Sequence, residues 1–384
     1  MPPSSKRIGE FLSAHGLDGF LLLGDSLCNP DIYYLSRFLA PDRFALLAAP
    51  SLSILVSGME AGRAKKESSA DEVAATSDYG MKEKLATFGR PEDAYVAVLK
   101  EFLRDHAVEK LGVFGDFPVR VYSDLAADFQ VSVLESPVSR WREVKTPREV
   151  DLMRSAQKAC EEAMRTAVGM IKRSRPAGEE LIYDGSPLTS EMVKSAIDLA
   201  LLRSGFEAPE TIVAGGPDAA DPHCGGSGPL PPDSPIVIDI YPRSKKGRYF
   251  ADMTRTVLRG EADPEVVDIY GAVLAAQEAG IAAVGAGATG KAVHATVCEV
   301  FRDRGYPEVE GRGFIHSTGH GVGLAVHERP SLSEVGGVLA EGNVVTVEPG
   351  LYYPDLCGVR LEDMVVVREG GCENLTDFEK RLIL

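Results

Sequence analysis

The chain is predicted to be α+β and built as two domains, on three observations. Its 384 residues exceed what one ordinary hydrophobic core supports. Residues 1 to about 140 alternate helical and strand-like patterns, whereas residues beyond about 205 read as strands joined by glycine-rich loops. Between these regions, Trp141-Arg142-Glu143-Val144-Lys145-Thr146-Pro147 carries the signals of a boundary. The domains are therefore set at 1–143, a small α/β domain, and 144–384.

In chain order, Ser4 or Ser5 is placed as the cap of a short helix bearing Ile8, Phe11 and Leu12, ended by Gly16. Strands are expected at Gly19–Leu23, Phe44–Ala48, Leu52–Val56, Leu111–Phe114 and Val131–Leu134. Tyr95, Val98, Leu99 and Phe102 form the apolar stripe of a helix over Glu92–His106. His15 and His106 lie near helix ends, where a capping or solvated role is the simplest. At the boundary, Thr146 and Glu149 make a capping box around Pro147, so a long helix should run to about Ile171. Arg173–Pro187 reads as a polar connection and Ser190–Ser204 as a helix stopped by Gly205. Two Ala/Val-rich helices follow near 264–284 and 289–304. The G-x-G-x-x-G of Gly285, Gly287 and Gly290 joins helix to helix; a dinucleotide site needs a strand in front, so this is read as a turn.

Composition narrows the function. A net charge of −16 disfavours nucleic acid, whose phosphates call for a basic face. No apolar run approaches membrane-spanning length, the longest near the start being Phe20–Leu23, and no signal peptide is expected ahead of it. Six separated cysteines without a C-x-x-C pair suit free thiols in a reducing cytoplasm.

Chemistry concentrates in FIHSTGHGVGLAVHE (314–328), which holds three of the seven histidines, His316, His320 and His327. Its glycines at 319, 321 and 323 are read as room for a ligand and for unusual backbone angles. Four acids elsewhere sit where lone charges are costly. Asp239 lies inside the apolar run PIVIDIYP, and Asp252, in RYFADMTRTVL, shares a face with Thr254 and Thr256. A hairpin of these two strands would bring both acids together. Glu348 ends the apolar strand of NVVTVEPG, and Glu362 opens another, with Arg360 on the same face. Four separate ion pairs would need four cations, and only Arg360, Arg255 and Arg259 are at hand. Two divalent cations balance the four carboxylates instead, with neutral His320 as a nitrogen ligand and a bridging water whose pKa the metals lower. Oxygen-rich ligation suits Mn²⁺ first and permits Co²⁺, Fe²⁺ or Zn²⁺.

The set Asp239, Asp252, His320, Glu348 and Glu362, with the strings ADMTRT, GHGVGLAVHE, VEPG and RLED, resembles the M24 metallopeptidases. It is most similar to their proline-directed branch, Xaa-Pro aminopeptidase and prolidase. The resemblance implies a pita-bread fold from about 144, and NPDIYYLSRF is similar to that branch's creatinase-type N-terminal domain. It further implies Asp252 and Glu362 as bridging ligands, Asp239 on one metal, and His320 with Glu348 on the other. Glu348 is also the implied proton shuttle. His223, in DPHCGG, and His327 are implied to bind the scissile carbonyl and its oxyanion. His316, one helical turn before His320, and Arg360 match substrate-side positions. Each has a duller job open: His223 can satisfy a loop carbonyl, and His316 or Arg360 can act behind a ligand. A Cys224–His223 nucleophilic dyad is disfavoured because neighbours on an extended chain point apart.

The expected function is a cytoplasmic dinuclear peptidase releasing the residue before proline, an Xaa-Pro aminopeptidase. Xaa-Pro dipeptidase is the alternative. Less favoured are a methionine aminopeptidase, a creatinase-like hydrolase and a non-catalytic binding module on the same fold. The resemblance also implies a homodimer, with peptides bearing proline at the second position as partners, and neither nucleic acid nor membrane. Two departures bear on the pocket. The Asp239–Asp252 hairpin is longer than usual, with a basic Arg243-Ser244-Lys245-Lys246 tip, and Tyr241 stands where glycine is common.

Overall fold

Two compact units, Met1–Arg142 and Glu143–Leu384, divide the chain. The computed structural model describes residues 5–307 and 309–384.

In the first unit, apolar alternation builds a six-stranded sheet. Its strands are β1 (Gly19–Gly24), β2 (Phe44–Ala48), β3 (Leu52–Val56), β4 (Glu72–Ala75), β5 (Lys110–Phe114) and β6 (Gln130–Leu134). Their order is β4-β3-β2-β1-β5-β6. β1, β2 and β3 pair antiparallel, and the outer pairings are parallel. The helix Pro91–Asp105 lays Val98, Leu99 and Phe102 on this sheet's core, as their spacing predicts. β4 was not expected from the sequence. Its Glu-Val-Ala-Ala is too short to show alternation and is recruited by parallel pairing with β3.

The first helix is Ser5–His15, and Gly16 ends it with φ +64°. Ser5 lies inside it rather than capping it, and Ser4 is outside the described residues. His15 and His106 donate from Nδ1 to the carbonyls of Phe11 and Phe102 (2.9 and 2.8 Å), which is the helix-end role expected.

The second unit starts with the capping box that Thr146 and Glu149 predict. Glu149 accepts the Thr146 N–H at 2.8 Å, and the helix runs Pro147–Arg173. The stretch that follows is not a bare connection. Arg175–Ala177, Glu180–Tyr183 and Ser186–Pro187 form a small three-stranded sheet, since each bend has a residue at positive φ (Gly178; Asp184 and Gly185). Helices Ser190–Arg203, Pro264–Ala283 and Gly290–Asp303 fall where expected, and the three glycines between the last two make a turn.

Pro264–Ala283 corrects one expectation, because this helix is long and apolar enough to cross a membrane by length and composition. Its Ile269, Val273 and Ala276 instead pack with Leu351, Val359 and Leu361 in this unit's own core.

The main strands of this unit are β7 (Thr211–Gly215), β8 (Ile236–Ile240), β9 (Met253–Val257), β10 (Gly319–Gly321), β11 (Glu328–Leu332), β12 (Val344–Val347), β13 (Gly350–Tyr353), β14 (Cys357–Arg360), β15 (Asp363–Arg368) and β16 (Gly371–Asn374). They form the sheets β7-β8-β9 and β11-β10-β12-β15-β16 and the ribbon β13-β14. The link from β14 to β15 ties the sheets together, with the Glu362 N–H donating to the Thr254 carbonyl (3.1 Å).

Candidate metal centre

β8 and β9 pair antiparallel with Asp239 opposite Thr254, so Asp252 lies one pleat along on the same face. Asp239, Asp252 and Glu362 are all buried, the last on the β14–β15 link. His320 stands in the middle of β10, and Glu348 directly follows β12 with its N–H on the Thr318 carbonyl (2.8 Å). Ligand atoms of Asp252, His320 and Glu362 lie within 4.8 Å of one another. Glu348 joins them through His320, whose Nε2 is 3.1 Å from its Oε1 and 3.8 Å from Asp252 Oδ2. Asp239 joins through Arg360, whose Nη2 is 2.8 Å from its Oδ2 and whose Nε donates to the Thr254 hydroxyl (3.1 Å). That hydroxyl in turn donates to Glu362 Oε2 at 2.8 Å. The structure thus gathers all five residues that the sequence proposed as ligands.

Charge balance explains what the cluster can hold. Arg255 pairs with Asp363 at 2.9 Å, and Arg259 donates to the carbonyls of Ser174 and Leu384. Neither reaches a carboxylate of the four acids, Arg255 touching Glu362 only at its main-chain carbonyl (2.6 Å), so the cationic partners at the cluster are Arg360 on Asp239 and, when protonated, His320 on Glu348. Burial first, and the neighbouring carboxylates second, push Asp252 and Glu362 well above the usual carboxylate range. Burial also raises Asp239, against the pull of Arg360. At Glu348 burial is overcome by the His320 hydrogen bond and charge, which take it down to about 2. The same partner raises His320 against its burial.

Two carboxylate oxygens, Asp239 Oδ1 and Glu362 Oε1, are buried without a hydrogen-bond partner. Orphaned acceptors are expensive unless a cation satisfies them. His320 Nδ1 faces the Gly321 carbonyl (3.2 Å), which aims Nε2 into the acids as a ligand requires. The donor set therefore fits divalent cations.

Around the acids, His316 places Nε2 at 3.1 Å from the Tyr352 hydroxyl, which accepts from Arg360 Nη1 at 2.8 Å. A continuous chain then runs His316–Tyr352–Arg360–Asp239. Burial lowers His316 and raises Tyr352 to about 12. His316 is not on a helix: this stretch is irregular and leads into β10, so its spacing of four from His320 carries no helical meaning. The His327 ring stands edge-on to His320, centroids 4.3 Å apart, and burial lowers its pKa. His223 is exposed on a loop whose Pro222 carbonyl accepts from Arg360 Nη1 at 3.3 Å.

Three further residues belong here to which the sequence assigned no role, although it set Thr254 on the face of Asp252. They are Tyr352, Thr254 and Thr346, the last of which donates from Oγ1 to Glu348 Oε1 at 3.0 Å and accepts the His320 N–H at the same distance. Their signal was parity: Thr254 and Thr346 each lie two residues from a candidate ligand, hence on its face.

Two expectations change. None of Gly319, Gly321 and Gly323 has positive φ, and they leave room for protein rather than ligand. A Cβ on Gly319 would strike the Thr346 carbonyl, and one on Gly323 the Glu328 carboxylate. The basic hairpin tip is tied back by Glu207, which takes Arg243 at 2.8 Å and Arg248 at 3.3 Å, with Lys245 at 4.0 Å.

Residues 151–369 match the model of metallopeptidase family M24, and residues 5–144 that of the creatinase/prolidase N-terminal domain. The Xaa-Pro dipeptidase of Pyrococcus horikoshii is 27% identical, with 98% of each chain covered. Among solved structures, the Xaa-Pro dipeptidase from Bacillus anthracis superposes with TM-score 0.83 at 26% identity over 99% of both chains. The X-Pro aminopeptidase from Thermotoga maritima does so with TM-score 0.80 at 27% identity over 100% of both.

Proposed function

The chain belongs to metallopeptidase family M24, and from that premise we propose that it hydrolyses the bond before proline, with Xaa-Pro dipeptides as its first substrate class. The observation that carries the chemistry is the convergence of Asp239, Asp252, Glu348, Glu362 and His320 with too few cations to balance them. The sequence alone favoured the aminopeptidase. Full-length likeness to proteins named Xaa-Pro dipeptidase moves the first choice to the dipeptide, and likeness to the Thermotoga X-Pro aminopeptidase keeps longer peptides as the second reading.

In this reading the five residues hold two divalent cations, Mn²⁺ first by the oxygen-rich donor set. Bound there, the cations supply Lewis acidity and activate water at neutral pH. The protein's own groups do the rest. Arg360 holds Asp239 Oδ2 in place, the Thr254 hydroxyl fixes Glu362 Oε2, and Thr346 fixes Glu348 Oε1. Glu348 Oε2 is left to take a proton from the attacking water and pass it to the proline nitrogen, which must gain one to leave. The imidazoles of His223 and His327 donate to the scissile oxygen as it gains charge. His316, bonded to Tyr352, is assigned to the substrate side. A homodimer is part of the proposal and is read by light scattering.

The test is hydrolysis by metal-stripped protein before and after Mn²⁺, on an Xaa-Pro dipeptide and an Xaa-Pro-Xaa tripeptide, with Glu348→Ala as control. Metal-restored cleavage of the dipeptide alone supports the dipeptidase. Cleavage of the tripeptide alone reverses the order of the two readings. Cleavage of neither, with two metals bound, ends the proline-directed reading.

A further inference from the structure

We propose that the buried Lys145–Glu328 ion pair is a positioning device that holds the His327 imidazole against the metal cluster, so that Lys145 supports turnover without touching substrate. The proposal rests on the peptidase reading of the site.

Lys145 Nζ lies 2.7 Å from Glu328 Oε1, with side chains only 2% and 7% exposed. A buried ion pair adds little net stability over an apolar pair of the same shape, because desolvation offsets the attraction. Its use here is read from what each end grips.

Glu328 directly follows His327. Its Oε2 accepts the Ala325 N–H at 3.4 Å, and its carboxylate fills the space that a side chain on Gly323 would need. The turn is closed by the Gly323 N–H on the Ala325 carbonyl (3.0 Å), and the Gly323 carbonyl accepts from Phe250 at 2.8 Å. Segment 323–327 is therefore folded around the Glu328 carboxylate, and His327 leaves it edge-on to His320.

Lys145 is itself held at the other end. Its N–H donates to the Gly342 carbonyl (2.9 Å), Val144 bridges to Asn343, and Nζ also donates to the Glu143 carbonyl (3.3 Å). Gly342 and Asn343 lead into β12, which delivers Glu348. Lys145 thus stands between the loop bearing His327 and the strand bearing Glu348, its ammonium gripping Glu328 while its main-chain N–H holds the Gly342 carbonyl. A misplacement on the order of 1 Å in such a group can cost about 100-fold in rate.

The experiment uses the Mn²⁺-loaded full chain. Lys145→Met is expected to lower kcat by about 10- to 100-fold with KM changed less than about 3-fold and bound metal unchanged. In a His327→Ala background the same substitution should add less than about 2-fold, because residues acting through one group are non-additive. Hydrogen exchange should quicken in peptides covering 322–328 and not elsewhere in the unit. Full activity in Lys145→Met, or an undiminished loss in the His327→Ala background, overturns the proposal. If the single variant fails to fold, Lys145→Met with Glu328→Gln removes both charges and is read by the same criteria. Absence of metal-dependent cleavage by the unsubstituted chain would instead sink the reading of the site, and this role with it.

Discussion

The Arg360 guanidinium serves four partners at once: Asp239, the Thr254 hydroxyl, the Tyr352 hydroxyl and the Pro222 carbonyl. Removing a group that orients a ligand typically costs 10- to 100-fold in metal affinity or activity. Arg360→Met is therefore expected to weaken metal binding by about that factor, measured by metal titration. Tyr352→Phe keeps the ring and deletes one hydroxyl. It should lower kcat roughly 10-fold, the worth of about 1.4 kcal/mol, with metal content intact. A drop in bound metal for Tyr352→Phe would place the hydroxyl with the ligands instead. The four candidate acids were legible one by one because a carboxylate in an apolar strand contradicts its surroundings. Tyr352 was not legible, since a tyrosine in LYYPD contradicts nothing.

At the scale of the element, the long helix Pro147–Arg173 depends on its first turn. Burial pushes Glu149 upward, but hydrogen bonds from Tyr249 and Thr146 outweigh it and hold the carboxyl below its ordinary value. A depressed folded pKa stabilises above the unfolded pKa of about 4.3 and loses that contribution as pH falls through the folded value. Glu149→Gln should thus lower stability at pH 7, and the gap from the unsubstituted protein should narrow on acidification below about pH 4 in urea melts. Thr146→Ala should cost ~1 kcal/mol through the same cap. The capping box was readable from Thr146, Pro147 and Glu149 because its contacts are local. β4 and the small sheet at 175–187 were not, because short strands acquire identity from the partners they pair with.

Across the whole molecule, the two units carry separate cores, while the buried acids belong to the second alone. Anything that binds the folded state stabilises it, by about 4 kcal/mol at 1,000 times Kd. Chelation should therefore lower the melting temperature of the second unit's transition in calorimetry, and Mn²⁺ should restore it. An unmoved transition with metal bound would mean that the site is not coupled to that unit's folding. The sequence by itself singled out a boundary near residue 143, determined the elements with long periodic patterns, and drew attention to five residues whose charge or imidazole makes no sense alone. These are properties of alternation and capping, which act over a few residues. Tertiary structure alone decided that Arg360 serves Asp239 while Arg255 serves Asp363. It also turned the glycines of 319–323 toward protein and let Lys145 reach Glu328. Those choices join strands far apart in the chain, and no local pattern records which distant backbone will come within reach.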